Sequence, residues 1–344
     1  MHSLGLFTII ALISSLHVSF GVPTKQGKWT PLANITVAPR QEHTTVFLPP
    51  STIAILGGIV PDGDSIATTD LVQSYSIPDN TWKTVAPVPR PINHVNAAVV
   101  NGKIYVLGAL ADASDGSRSW TAVGDSWLYN PESNRWNAIP PMPPGQEAGS
   151  AAVGVYDGKI FLAGGMKLLE LEGERRQDTV DTVSVYDTKS SKWLDVPEAA
   201  KRVPGRRDHA GAAVVGNKFY VLGGRNRGQV NVKDEVFILD LRNIEKGWTT
   251  SSARMPTARG GVAAGRIGNK VYTFGGEGNQ QLESGVFNET EVYDAVRDSW
   301  EKLVPMRVPR HGSYAVGVGK DVYVPGGGLL FGGAPTAYFD KFTP

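Results

Sequence analysis

Six tryptophans, Trp29, Trp82, Trp136, Trp193, Trp248 and Trp300, stand 53, 54, 57, 55 and 52 residues apart in a chain of 344 residues. A period of that size means repeated copies of one supersecondary unit, none of which can bury its apolar face alone. Glycine pairs keep the same rhythm at Gly57-Gly58, Gly164-Gly165, Gly223-Gly224, Gly275-Gly276 and Gly326-Gly327, with Gly108-Ala109 as a weaker copy. Four strands can be read in each period. The innermost is small and apolar, as in Gly211 to Val215, because strands near an axis crowd one another. The next alternates apolar and aromatic residues before the Gly pair, as in Lys218 to Leu222. A third ends in Tyr186-Asp187, Tyr293-Asp294 or Tyr129-Asn130, where Asp or Asn starts a turn, and the fourth begins at the Trp.

The order Gly-Gly, then Tyr-Asp, then Trp seven positions after the Tyr resembles the kelch family over the whole chain beyond the leader described below. The resemblance implies an all-β, six-bladed kelch β-propeller, one domain over residues 22–344. It also implies that the Gly pairs, Tyr and Trp serve blade packing. The sixth Tyr-Asp equivalent is Phe339-Asp340, so its Trp would fall two residues beyond Pro344. Gly27 to Thr30 reads as an outer strand with no Tyr-Asp strand before it. An N-terminal strand around Trp29 is therefore expected to complete blade six and close the ring, leaving no open sheet edge.

Residues 1–21 differ in kind: an apolar run from Leu4 to Leu16, then Ser19 and Gly21 as the small residues of a cleavage site. This is the pattern of a signal peptide, too short to span a bilayer. It places the mature chain in the secretory lumen or outside the cell, with no stable membrane insertion. The sequons at Asn34 and Asn288 are expected to be glycosylated. No cysteine is present, so burial and ring closure must replace disulfides. Lys plus Arg (34) nearly balances Asp plus Glu (33), which provides no field for nucleic acid. A monomer is expected.

In kelch propellers the loops after the Gly pairs and those entering the inner strands meet at one mouth of the central channel. Counting back fourteen residues from the first Gly of the pair gives His43, His94 and His209 in blades one, two and four. His311 lies one residue further back in blade six, so every histidine beyond the leader is expected at one ring. Arg40, Arg90, Arg206 or Arg207, Arg259 and Arg310 lie just before the inner strands; Gln146 and Glu147 replace them in blade three. Glu42, Asp208 and Asn93 each precede a histidine. Three readings of the ring stand open: bonds between blades made by repeat-consensus residues, acid/base work on a small molecule, or a metal bound by converging imidazoles. The expectation adopted is no cofactor and no metal.

Other kelch-fold enzymes narrow the chemistry. Galactose oxidases use a Tyr-Cys crosslink beside copper, and this chain has no Cys. Plant specifier proteins carry Glu-x-x-x-Asp-x-x-x-His for iron, where this chain has Glu174, Asp178 and Thr182, without the His. No nucleophile elbow, phosphate-cradling loop or zinc-protease helix motif is found. Specificity is expected from the loops after the Gly pairs: an insertion from Ala111 to Ser126 with Trp120, a charged one from Met166 to Val180, and Gly326 to Phe331 with Leu329, Leu330 and Phe331 on the rim.

The chain also resembles secreted kelch proteins of filamentous fungi, some of which accompany secondary-metabolite pathways. That resemblance implies a secretory enzyme acting on a small oxygenated metabolite by proton transfer, an isomerase or cyclase. His43, His94, His209 or His311 would be its acid or base, assisted by Glu42 and Glu147. Arg40, Arg90, Arg207, Arg259 and Arg310 would hold oxyanions or hydroxyls, with Trp120 and Phe331 as apolar contacts. The alternative is a noncatalytic module that binds a glycan, peptide or partner protein at the same mouth.

Overall fold

The computed structural model describes residues 26–174 and 176–344; the leader at 1–21 lies outside them. No α-helix occurs among the described residues, and the strands form six four-stranded antiparallel blades, one of them extended. The inner strands, Thr44–Leu48, Ala97–Val100, Ala152–Tyr156, Gly211–Val215, Ala263–Ile267 and Val316–Val318, each touch the next around the axis and so close a ring. The second strands, such as Lys218–Leu222, are almost wholly buried because both faces pack against neighbouring blades.

Closure occurs as the repeat count requires. Lys28–Pro31 pairs antiparallel with Phe339–Thr343, placing Trp29 opposite Phe342 and making the N-terminal segment the outer strand of blade six. The periodic tryptophans then stitch each blade to the one before it. Each indole N–H donates to a backbone carbonyl at the outer edge of the preceding blade: Trp82 to Ala33, Trp136 to Ala86, Trp193 to Pro140, Trp248 to Ala200, Trp300 to Ala253 and Trp29 to Val304. The blade tyrosines pack on these rings at 5.0 to 5.2 Å between centroids, as in Tyr75 with Trp82 and Tyr186 with Trp193. The apolar core is accordingly divided into clusters between adjacent blades; Trp29, Phe274 and Phe342 join blades five and six, and Trp82, Tyr75 and Phe339 join six and one.

Two departures from the sequence reading shape the mouth. The insertions in blades two and three are strands, not loops. Lys103–Asp112 and Ser119–Asn130 extend beyond the blade, and Met166–Glu170 with Gln177–Thr179 add to the same sheet, giving it six strands. Alternating residues on these arms bury Trp120, Leu110, Met166 and Leu169 together with Ile59 as an apolar cap beside the axis. The second departure lies in the inner hairpins. Five turn in two residues, such as Asn101-Gly102, but blade one uses three, Pro49, Pro50 and Ser51. The extra residue shifts everything before it by one place.

Trp29→Ala should remove about 3–5 kcal/mol of stability, the range for deleting a fully buried Trp. Trp193→Ala, at a half-buried copy of the same position, should cost less than Trp29→Ala, at a fully buried one. Urea unfolding of the two variants checks the order, and equal losses would show that the closing strand has no special weight.

Candidate functional site

Where each blade's chain enters its inner strand, one residue bridges the residue after the Gly pair: Gln41 to Ile59, Asn93 to Leu110, Gly149 to Met166, Asp208 to Arg225, Gly260 to Glu277 and His311 to Gly328. The next residue in each blade has positive φ: Glu42, His94, Ser150, His209, Gly261 and Gly312, between +50° and +65°. For the four non-glycine residues this conformation costs on the order of 1 kcal/mol each. It is held by a closed belt of backbone hydrogen bonds, each N–H donating to the matching carbonyl of the preceding blade: His94 to Glu42, Ser150 to His94, His209 to Ser150, Gly261 to His209, Gly312 to Gly261 and Glu42 to Gly312. The belt turns these side chains toward the axis.

The three-residue turn in blade one explains a change of occupant. Counting from the Gly pair puts His43 in line with His94 and His209, but the structure puts Glu42 there. His43 instead wedges between the Gly pairs of blades one and six, where a Cβ on Gly58 or Gly326 would come within 2.8 Å of it. It is fully buried, and neither ring nitrogen has a hydrogen-bond partner. Burial and the nearby Arg40 charge push its pKa down to about 3.

At the axis Glu42 meets three imidazoles. Its Oε2 lies 3.3 Å from His94 Nε2 and 3.6 Å from His209 Nε2, and its Oε1 lies 3.6 Å from His311 Nδ1. The His94 and His209 Nε2 atoms face each other at 3.0 Å. Each ring is oriented by the residue before it: His209 Nδ1 by Asp208 Oδ1 at 2.7 Å and His94 Nδ1 by Asn93 Oδ1. Asp208 also accepts from Arg225 Nε at 3.0 Å, Gln177 Nε2 at 2.6 Å and the Thr179 hydroxyl. Arg225 reaches on to Glu277 and places Nη2 3.1 Å from His209 Nε2, while Glu277 Oε2 lies 3.5 Å from His311 Nδ1. All seven charged or ionisable groups of this network are buried.

Three carboxylates oppose one guanidinium, so with neutral imidazoles the network stands at −2. That charge sorts the histidines. Burial and Arg225 oppose a proton on His209, but Glu42 and Asp208 prevail and raise its pKa. Burial dominates at His94 and pushes it down to about 3. Burial would raise the carboxyl of Glu42, yet the surrounding imidazoles hold it well below the ordinary carboxylate range. Adjacent groups whose affinities are driven apart in this way have the arrangement that acid/base chemistry requires. Glu42, His94 and His209 also have donor atoms within 4.8 Å of one another, spacing a metal ion could use. The Arg225 guanidinium directed at the same His209 nitrogen puts a fixed positive charge there and opposes a cation.

The other candidates are placed elsewhere. Arg40, Arg207, Arg259 and Arg310 turn into their own blades, bonding to Gln73, Glu235, Glu291 and Asp340 respectively. Arg90 is exposed and paired with Asp125 at 2.9 Å, and Arg206 donates to the Thr179 carbonyl. Glu147 accepts from the Gly145 N–H away from the axis. These residues serve the blades, which accounts for their recurrence. Trp120 is buried, packs with its ring tilted 49° against His94 at 5.6 Å between centroids and donates to Asp112. Phe331 is part exposed, 37 %. Arg225 and Glu277 escaped the sequence reading. Their signal was available: the residue after the Gly pair is apolar in blades one to three, as Ile59, Leu110 and Met166, but charged in two consecutive blades. Tyr314 was also missed; it stands in a narrow axial channel of about 160 Å³ below the belt, among small inner-strand residues. A larger cleft of about 550 Å³ between blades one and two, on the opposite face, is lined by Lys83, Asn130 and Glu132 and holds no buried histidine, carboxylate or guanidinium among its lining residues, its one buried ionisable group being the Tyr129 phenol.

Comparison with known proteins agrees with this architecture. The KLHDC2/KLHL20/DRC7 Kelch-repeats domain matches residues 14–214 and 144–327. The Kelch-like protein terF of Aspergillus terreus is 40% identical over 332 residues, covering 94% of this chain and 70% of terF. The chain belongs to the kelch-repeat family. Other kelch relatives match less of themselves: Kelch domain-containing protein 3 of Bos taurus is 26% identical, over 70% of this chain and 64% of that protein. The N-acetylneuraminate epimerase of Vibrio cholerae is 32% identical over 158 residues, 44% of this chain and 36% of the epimerase.

Because native His43 stays neutral to about pH 3 while an unfolded histidine takes up a proton near 6.5, the unfolded state binds more protons between these limits. Stability contributed by this site is therefore lost as pH falls, by about 1.4 kcal/mol per pH unit. His94 acts in the same sense and His209, whose pKa is raised, in the opposite one. His43→Leu should flatten the decline measured by urea unfolding between pH 6.5 and 5 by roughly one proton's worth; an unchanged slope would show that His43 titrates normally.

Proposed function

We propose that this kelch propeller is an enzyme that moves protons on a small oxygenated metabolite at the axial network, an isomerase or cyclase of fungal secondary metabolism, without a resident metal or organic cofactor. The observation that carries the reading is the His94–His209 pair, two imidazoles with opposed proton affinities 3.0 Å apart. A binding platform has no need to bury such a pair beside three carboxylates, since unpaired buried charge is costly. His209, oriented by Asp208, is the proton donor and neutral His94 the acceptor, while Glu42 stabilises the cation that shuttles between them. Arg225 supplies positive charge to a developing oxyanion. Two relatives support the reading: the fungal terF, matched over most of both chains, and a protein named as an epimerase.

We further propose that the protein works as a glycosylated monomer in the secretory route. Asn34 and Asn288 are both exposed, as glycan acceptors must be. A second reading, a noncatalytic binding module, has in its favour the exposed apolar rim of Leu329, Leu330 and Phe331.

Metabolite profiling of a deletion strain complemented with variants separates the two. His94→Gln and His209→Gln should accumulate the same precursor as the deletion, with turnover reduced at least about 100-fold, the scale of general acid/base loss; His43→Leu should restore the product. Full product from both glutamine variants would leave the binding module standing. Protein secreted from a fungal host should shift on deglycosylation, and Asn34→Gln and Asn288→Gln should each remove one part of that shift; an unshifted band would refute the glycosylation.

A further inference from the structure

The acid/base network is enclosed, so a substrate cannot reach it in the arrangement seen. From below, the axial channel has a volume of only about 160 Å³, with Tyr314 in its wall and none of the network's side chains lining it. Above it lies a depression of about 560 Å³, within the size range of small-molecule sites, whose apolar wall of Trp120, Leu169, Leu330 and Phe331 is joined by the opposed charges of Arg118 and Glu170. None of the network's side chains lines this depression. Two elements separate them: Trp120, packed against His94, and the hairpin formed by Gly328–Leu330 and Gly333–Pro335. Trp120 is fixed in the apolar cap between long paired strands. The hairpin is not so fixed.

Its arms have three residues each and pair at only Gly328 with Pro335 and Leu330 with Gly333. An isolated two-stranded hairpin is marginal even when longer. Glycine occupies 326, 327, 328, 332 and 333; Gly326 to Gly328 are tied down by backbone hydrogen bonds to Tyr338, Arg40 and His311, so any swing takes place beyond Gly328, toward the Gly332-Gly333 end. Its tip holds Leu330 at 53 % and Phe331 at 37 % exposure, apolar groups that gain little burial where they stand. Three hydrogen bonds pin the tip: His311 Nε2 to the Leu330 carbonyl at 2.9 Å, the Gly332 N–H to Glu277 Oε2 at 2.9 Å, and the Phe331 N–H to the Ser284 carbonyl at 2.8 Å. Two of these latches are side chains of the network itself.

We propose that this blade-six hairpin is a gate: a neutral, largely apolar ligand docks in the depression against Trp120 and Phe331, and release of the His311 and Glu277 latches swings the hairpin aside and joins the depression to His94 and Glu42. The proposal rests on the reading of the network as the reaction centre. Its test measures access rather than turnover, so the two can fail separately.

The four histidines of the described residues fall on four different tryptic peptides, and the chain has no native thiol. Diethyl pyrocarbonate modifies neutral imidazoles, and mass spectrometry reads each site by its own rate. Replacing Gly285 and Phe331 by cysteine sets an engineered disulfide across the gate, since a Cβ at 285 would lie 2.7 Å from Phe331 Cβ and needs a shift of only about 1 Å to reach disulfide spacing. In the reduced double variant His94 and His311 should react while His43, wedged between Gly58 and Gly326 behind the fixed base of the hairpin and not lining the depression, stays silent. Oxidation should slow His94 and His311 at least tenfold, and dithiothreitol should restore them. Phe331→Ala, which needs no crosslink, should speed both relative to wild type. Equal rates in the locked and reduced forms, or no acceleration in Phe331→Ala, would overturn the gate by showing that the reagent arrives another way, as through the Tyr314 channel. So would modification of His43 in step with the others, which marks global unfolding as the route.

Discussion

Ring closure is the constraint on which everything else depends. Each blade exposes apolar faces that only its neighbours can cover, and the first blade must be covered by the last. The Trp29 strand makes that happen by pairing with Phe339–Thr343, and its indole repeats the bond to the preceding blade that the other five tryptophans make. With no cysteine in the chain, no covalent bond substitutes for this closure. The same closure produces the axial belt, whose backbone hydrogen bonds run once around the mouth only because six blades return to their starting point.

The belt also fixes which side chains face the axis. It holds one residue per blade with positive φ, and the occupants differ: Glu42, His94 and His209 are ionisable while Ser150, Gly261 and Gly312 are small and leave room. A Cβ on Gly312 would come within 2.2 Å of Glu42 Oε1, so the glycine there makes space for the carboxylate. Strain of this kind at Glu42, His94 and His209 is worth its cost only where geometry matters more than stability. The buried network of −2 charge is the counterpart in electrostatics, attracting a proton to His209 while His94 beside it resists one.

Most of the architecture could be read from the chain. Trp spacing gave the number of blades, the missing final Trp predicted the closing strand, and the Gly211 and Lys218 strands formed where their patterns placed them. The site was only partly legible. His94, His209 and His311 do converge, but His43 does not, because one additional turn residue between Leu48 and Thr52 moves Glu42 into the ring instead. The arginines repeat with the blades because most blades use one for an internal bond, such as Arg259 to Glu291, and that bond, which spacing alone does not reveal, turns them away from the axis. The long insertions read as loops because their sequences lack the repeat, though their alternation suits paired strands.

What the sequence determined by itself was whatever repeats: blade number, strand order, the Trp and Tyr packing and the manner of closure, since a periodic pattern is averaged over six copies and survives local irregularity. What the tertiary structure decided was whatever occurs once. Arg225 and Glu277 are 52 residues apart in sequence and meet only because consecutive blades stand side by side. The opposed proton affinities of His94 and His209 arise from burial and neighbouring charge, which depend on distances no spacing rule encodes. The blade-six hairpin lies over them for a related reason: it folds Leu330 back onto His311 of its own blade, and the ring sets Gly332 against Glu277, a meeting of blades five and six that the order of residues leaves unstated.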